Sequence, residues 1–183
     1  MKNTGQRPLR LMFQDEARFG RLSDPRACWA PAPTRPMVQK ALIREYQYQY
    51  VAVSPGDGAL DHMTADKMNT ANMSRFLDLV SQAHTDDFVV MVLDGASSHK
   101  CKDLKIPESV ALVFLPPYSP ELNPAEQIWN RLRADYFANK VFDSLDAATN
   151  QAVKGLSSMA ANRAAVVSLT NWDWINSAIM NAN

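Results

Sequence analysis

Six apolar residues in a row, Phe88-Val89-Val90-Met91-Val92-Leu93, stop abruptly on Asp94. The run is too short for a helix and lacks the polar alternation of a half-solvated strand. It predicts a strand buried inside a sheet, with a carboxylate at its carboxyl end. A chain with such a strand must supply neighbouring strands and a covering layer of helices. Its 183 residues and 46% hydrophobic content are enough for one domain with a real core.

The strands before it read as a meander. Leu9-Arg10-Leu11-Met12-Phe13-Gln14-Asp15 predicts a first strand, mostly apolar until Asp15 and Glu16 at its end. Side chains alternate across a strand, so Asp15 and Glu16 point to opposite faces and compete for one role. Pro25, Pro31, Pro33 and Pro36 exclude a long helix there, and Ala27–Ala30 reads as a short second strand. Tyr46–Val53 predicts a third strand, ended by the turn Ser54-Pro55-Gly56-Asp57-Gly58.

Helices follow. Asn69 or Thr70 caps a helix whose Met73, Phe76, Leu77, Val80 and Ala83 share one face. As a crossover, it makes the strand ending at Asp94 parallel to a neighbour. Ser97–Leu104 predicts a short helix or an irregular crossover to a fifth strand, Val110–Leu115. The Pro-rich stretch 116–124 then launches a helix from Asn123, with Pro124 at its first position and Ile128, Trp129, Leu132 and Tyr136 inward. Ser144 caps another, carrying Leu145, Ala148, Ala152, Leu156 and Met159. A final short helix includes Trp172, Ile175 and Ile179. The expected fold is α/β, a five-stranded mixed sheet with helices packed on it, in one domain over 1–183.

Two acids stand at element ends and a third in a first helical turn. Asp94 is either a turn residue before Gly95 or a site residue, since ligand sites form at the carboxyl ends of strands in open α/β sheets. Asp15 carries the same alternatives. Glu126, three residues after Asn123, has a strong local explanation as the far half of a capping box. If the three converge they repel one another unless a cation joins them. Oxygen-only ligands suit Mg²⁺ or Mn²⁺, and two such ions support phosphodiester cleavage.

Other chemistries fit worse. Gly95-Ala96-Ser97-Ser98-His99 lacks the closing Gly of a nucleophile elbow. Cys28, Cys101, His62, His84 and His99 lack zinc spacing, and there is no P-loop. His99 is a surface or capping residue, or lies near a bound phosphate. Two distant cysteines and no signal-peptide core point to a reducing, cytoplasmic setting without membrane attachment. A net charge of zero argues against a uniformly basic surface, but leaves local strips. These are Arg18, Arg21, Arg26, Arg35, Lys40 and Arg44, and the cluster Lys100, Lys102 and Lys105.

Phe13-Gln14-Asp15-Glu16, Val92-Leu93-Asp94-Gly95-Ala96-Ser97-Ser98-His99 and Leu115-Pro116-Pro117-Tyr118-Ser119-Pro120-Glu121-Leu122-Asn123-Pro124-Ala125-Glu126-Gln127-Ile128-Trp129 together resemble DDE-type transposases. The branch is the bacterial insertion-sequence group of the mariner-like superfamily, and the likeness covers roughly residues 9–140. It implies an RNase H-like fold and a metal triad of Asp15, Asp94 and Glu126, with Glu126 32 positions after Asp94. It also implies two Mg²⁺ (or Mn²⁺) ions, cleavage and strand transfer of DNA, and a homodimer in the active complex. Transposon ends and target DNA are the implied partners, with Arg18, His99, Lys100 and Lys102 as candidate phosphate contacts. Gly95 stands where the family often has Asn. The family's N-terminal helix-turn-helix is expected to be absent here. The alternatives are a catalytically silent fragment that regulates an intact transposase, and an RNase H-like nuclease with another substrate.

Overall fold

In the computed structural model the described residues are 7–96, 99 and 101–181, with side chains through Ser177. Five strands form one mixed sheet in the order β3-β2-β1-β4-β5. They are β1 (Leu9–Leu22), β2 (Leu42–Val53), β3 (Leu60–Ala65), β4 (Phe88–Leu93) and β5 (Val110–Phe114). The first three make an antiparallel meander, while β4 runs parallel to β1 and β5 parallel to β4. The expected five-stranded α/β architecture is present.

Its strands differ from the expected ones in three places. β1 does not end at Asp15; it continues to Leu22 because β2 pairs with it along that length, Phe13 opposite Val53 and Leu22 opposite Leu42. The short strand at Ala27–Ala30 does not form. Residues 25–41 are irregular and mostly exposed, since prolines lack the N–H that a ladder needs. The meander's third strand is instead Leu60–Ala65, whose sequence LDHMTA has too few apolar residues to register as a strand. β2 buries that segment by pairing with it, a tertiary effect.

Strand alternation divides the core. Met12, Tyr50, Ala52, Val89, Met91 and Leu93 face α1 (Thr70–Ala83). Asn69 caps α1 as expected, and Met73, Phe76, Leu77 and Val80 are buried; Ala83 is exposed, so the stripe is one turn shorter than read. The other face carries Phe13, Phe19, Val51, Val53 and Val92. It packs against α2 (Ala125–Leu132), α3 (Leu145–Ala160), α4 (Arg163–Thr170) and α5 (Asp173–Asn181). Ser144 caps α3 by accepting from Ala147 N. α4 is an extra helix, capped by Asn162. Ile175 is buried, and the side chain of Ile179 lies outside the described residues.

One pairing limit positions the site. β4 pairs with β1 only from Leu9 to Phe13, its last partners being Phe13 and Val92. From Gln14 onward β1 pairs with β2 on one edge and, among the described residues, with no strand on the other. Asp15 lies just past that limit, and Asp94 is the corresponding residue just past β4.

Candidate active site

Phe13 and Val92 are register partners on the face covered by α2. Two residues on, period-two alternation puts Asp15 and Asp94 on that same side. The third acid arrives from α2. Its approach is set by Asn123, which is buried at 4% exposure. Asn123 Nδ2 donates to the carbonyl of Gln14 at 3.0 Å, and its Oδ1 accepts from Ala125 N at 3.1 Å. The Pro-rich turn is thereby strapped to β1 one residue before Asp15.

Asn123 is therefore not the reciprocal cap expected from sequence. Pro124 occupies the capping position without a side-chain bond, and a short 3₁₀ turn, Pro120–Leu122, precedes it. No capping box forms with Glu126 among the described residues. Glu126 instead faces Asp15 closely enough for its charge to disturb it.

Asp15 records that proximity. Burial first, and the Glu126 charge second, push its carboxyl up to about 7. Two donors oppose the rise: Trp129 Nε1 to Oδ2 at 2.9 Å, and Glu16 N to Oδ1 at 2.9 Å. Near neutrality Asp15 is thus poised to exchange a proton for another positive charge. Trp129 was legible as a core residue of α2; its role as a donor to Asp15 was not, because indole burial and indole bonding share one sequence pattern.

Glu16 points to the opposite face, as alternation requires, and there finds His99. His99 Nε2 lies 2.9 Å from Glu16 Oε1, with side chains 1% and 4% exposed. His99 Nδ1 lies 2.9 Å from Asp94 Oδ1, and that oxygen also accepts from Ala96 N at 2.9 Å. His99 is therefore a buried link between β1 and the loop after β4, neither a surface residue nor a lone cap. Burial lowers its basicity, but the Glu16 hydrogen bond and charge, with Asp94, raise it above its ordinary value.

That shift has a stability consequence. A raised histidine stabilises the fold fully below its unfolded pKa, and loses that contribution as pH rises through its folded value. His99→Asn should cost about 2 kcal/mol near pH 6 and progressively less in alkali. Urea unfolding across pH checks it; a constant deficit would contradict a charged link.

Asp94 itself is 61% exposed, and no described group bonds its Oδ2. Among the described residues no three His, Cys, Asp or Glu side chains stand in a ligating arrangement. The structure thus brings Asp15 and Glu126 together, and leaves Asp94 on the adjoining strand end with one oxygen tied to its own loop. The donor set is carboxylate oxygen throughout, and the mutual repulsion of Asp15 and Glu126 is what a hard divalent cation would relieve. In donor type, though not in a ligating arrangement, these carboxylates match what Mg²⁺ or Mn²⁺ takes.

The candidate phosphate contacts separate. Arg18 reaches over the Tyr46 ring, 4.9 Å from its centroid. Lys102 is exposed on the crossover. His99 is buried, with its ring nitrogens engaged by Glu16 and Asp94. Lys100 lies outside the described residues. No described helix is long and apolar enough to cross a membrane.

Known proteins resemble this chain in sequence and in fold. The uncharacterized protein y4pE/y4sA of Sinorhizobium fredii is 33% identical over 102 residues, which cover 55% of this chain and 76% of that protein. The Mos1 transposase paired-end complex with left transposon end superposes with a TM-score of 0.57 at 13% identity, over 89% of this chain and 56% of that one. The Mos1 mariner paired-end complex with Mn gives 0.56 at 14% identity, with the same two coverages. The chain thus spans just over half the length of these Mos1 chains, and at such identity the likeness is one of fold, the RNase H-like fold. The family model for DDE superfamily endonucleases matches residues 10–148, most of the chain, and the protein belongs to that family.

Proposed function

We propose that residues 1–183 form a single catalytic domain of a metal-dependent DNA transposase of the bacterial insertion-sequence, mariner-like branch, with C-terminal helices from about residue 144. The observation that carries this reading is the placement of Asp15 where β1 loses β4, beside Asp94 just past β4, with Glu126 in the first turn of α2 near enough to raise the Asp15 carboxyl. Asp15, Asp94 and Glu126 would hold two Mg²⁺ or Mn²⁺ ions. When bound, such ions activate a water or a DNA 3′-hydroxyl and stabilise the departing 3′-oxygen. Asp15 would give up its proton as cation arrives. Trp129 would hold the Asp15 carboxylate in place, and Asn123 would hold the helix that presents Glu126. His99 would fix one oxygen of Asp94 and leave the other for ligation. The substrate would be transposon-end and target DNA, with a homodimer as the active assembly. The Mos1 complexes with transposon-end DNA and with Mn support the DNA substrate and the metal.

Asp94→Ala should lower Mn²⁺-dependent nicking of supercoiled DNA by about a hundredfold or more. Wild-type nicking by this variant would sink the assignment. A second reading is favoured by the exposed, loop-bonded Asp94 carboxylate. On it, the chain is a silent partner of intact transposase. Inhibition of an intact transposase in the absence of any intrinsic nicking would select that reading.

A further inference from the structure

Glu16 is the acid beside Asp15 that takes no part in the carboxylate site. It lies on the other face of β1, and its side chain is 4% exposed. A carboxylate so far from water needs a partner. Among the described residues its ion-pair partner is His99, with 2.9 Å between Nε2 and Oε1. The other ring nitrogen, Nδ1, lies 2.9 Å from Asp94 Oδ1 and 3.3 Å from the Asp94 carbonyl. Carboxylates only accept, so each ring nitrogen donates and the ring is fixed at two points.

The two ends of this chain of bonds differ in rigidity. Glu16 sits in the ladder of β1 with β2, opposite the fully buried Tyr50. Asp94 begins a loop held by Ala96 N to Asp94 Oδ1 at 2.9 Å and by His99 N to the Ala96 carbonyl at 3.0 Å. Both bonds are internal to the loop, and β4 does not pair with β1 beyond Val92. His99 is what the loop presents to β1, and Glu16 is what receives it. A carboxylate behind a histidine fixes the tautomer and the orientation of the ring. Here the oriented ring grips a second carboxylate by Oδ1, and no described group bonds Oδ2.

We propose that Glu16 is a positioning residue for Asp94, acting through His99 to leave Oδ2 as the oxygen that takes a divalent cation. This rests on the reading of Asp94 as a metal ligand. Two points favour it over a link that only holds the fold together. A structural pair would close on Glu16 and stop there, since His99 alone satisfies that buried charge. The bonding goes on to Asp94, whose side chain is 61% exposed and has water for partners. Its effect there is to remove rotamer freedom, which a ligand needs and an exposed loop acid does not. Second, the two oxygens of Asp94 are treated unequally. Oδ1 accepts from both His99 and Ala96 N, so the side chain is held by one oxygen with the other spared.

The test uses the full chain and two readouts that do not depend on turnover. One is Mn²⁺ binding, followed by loss of the free-ion EPR signal. The other is the tautomer of His99 in metal-free protein, read by heteronuclear NMR of the imidazole nitrogens. Glu16→Ala should weaken Mn²⁺ binding about tenfold or more and let the His99 proton move between the two nitrogens. Glu16→Gln should stay within about threefold of wild type, because its amide can donate to Nε2 and keep the proton on Nδ1, facing Asp94. Nicking should follow the metal: the Ala variant should need about tenfold more Mn²⁺ for half its rate, at an unchanged KM for DNA. Wild-type Mn²⁺ affinity in the Ala variant would overturn the positioning role and leave Asp94 standing as a ligand. Equal weakening in the Ala and Gln variants would also sink it, since the charge of Glu16, not its hold on His99, would then be the cause. No Mn²⁺ binding by the wild-type chain would remove the ligand reading and the proposal together. If the Ala variant does not fold, Glu16→Asp carries the test. One methylene too short for His99, it should weaken Mn²⁺ binding at unchanged charge, and wild-type affinity there would refute the proposal.

Discussion

Asp15→Asn should make the protein more stable near pH 8 while reducing metal-dependent nicking by about a thousandfold or more. The stability gain follows from linkage. The Asp15 carboxyl is raised from 3.8 to about 7. Between those values the folded chain keeps a proton that the unfolded chain has released. Stability therefore falls as pH rises through that window, and the penalty is constant above it. Three units at about 1.4 kcal/mol each, reduced for partial exposure, give on the order of 2–4 kcal/mol. Asparagine keeps one acceptor, for Trp129 Nε1, gives up the one that Glu16 N uses, and removes the charge that repels Glu126. Chemical denaturation of both proteins across pH is the measurement. An Asn variant that is no more stable in alkali, or that keeps the same decline between acid and neutral pH, would show that Asp15 and Glu126 are not in electrostatic conflict. Added Mn²⁺ should stabilise the wild type near pH 8 and leave the variant almost unmoved.

Trp129→Ala should be among the most damaging single changes to the fold, at about 3–5 kcal/mol. Trp129 is 1% exposed and packs on Phe19 with ring centroids 5.7 Å apart. Removing it opens a cavity between β1 and α2, the two elements that carry Asp15 and Glu126. Trp129→Phe separates packing from bonding, because it keeps most of the buried ring and deletes the N–H. The lost bond supports the ionised carboxylate more than the neutral one, so this variant raises Asp15 further. Its deficit should be about 1.5–3 kcal/mol above pH 7 and small near pH 5. Urea unfolding at the two pH values checks it. A pH-independent deficit would mean that the indole contributes packing alone.

Both expectations start from acids that were legible as single residues. Asp94 was marked by an apolar run that ended in a charge, and β4 ends there. Asp15 was marked by the same sign, for the wrong reason. It lies within β1, not at its end, and what stops beside it is the pairing with β4. A strand that loses one neighbour while keeping the other leaves no trace in its own sequence. Glu126 inverted its local reading. The spacing from Asn123 predicts a capping box, but Asn123 spends its amide on the Gln14 carbonyl. A cap and a strap across 109 residues look alike in sequence.

His99 was left between a surface or capping role and a phosphate contact; it is buried, with both ring nitrogens engaged. Its two buried partners come from β1 and the loop after β4, so no local spacing could have shown them. The missed strand β3 makes the same point for the backbone, since pairing with β2 overrides its weak apolar content.

By itself, the sequence determined the covered strand before Asp94, the capped helices at Asn69 and Ser144, the alternation that separates Asp15 from Glu16, and the acid-rich motifs. All of these depend on short-range periodicity, capping or turn chemistry. Only the tertiary structure decided that β1 outruns β4, that Glu126 turns to Asp15, and that His99 closes on Glu16. It alone brought Arg18, Arg44 and Arg133 around one groove. Those outcomes depend on which elements meet, and the meeting is set by burial of whole faces rather than by any neighbour along the chain.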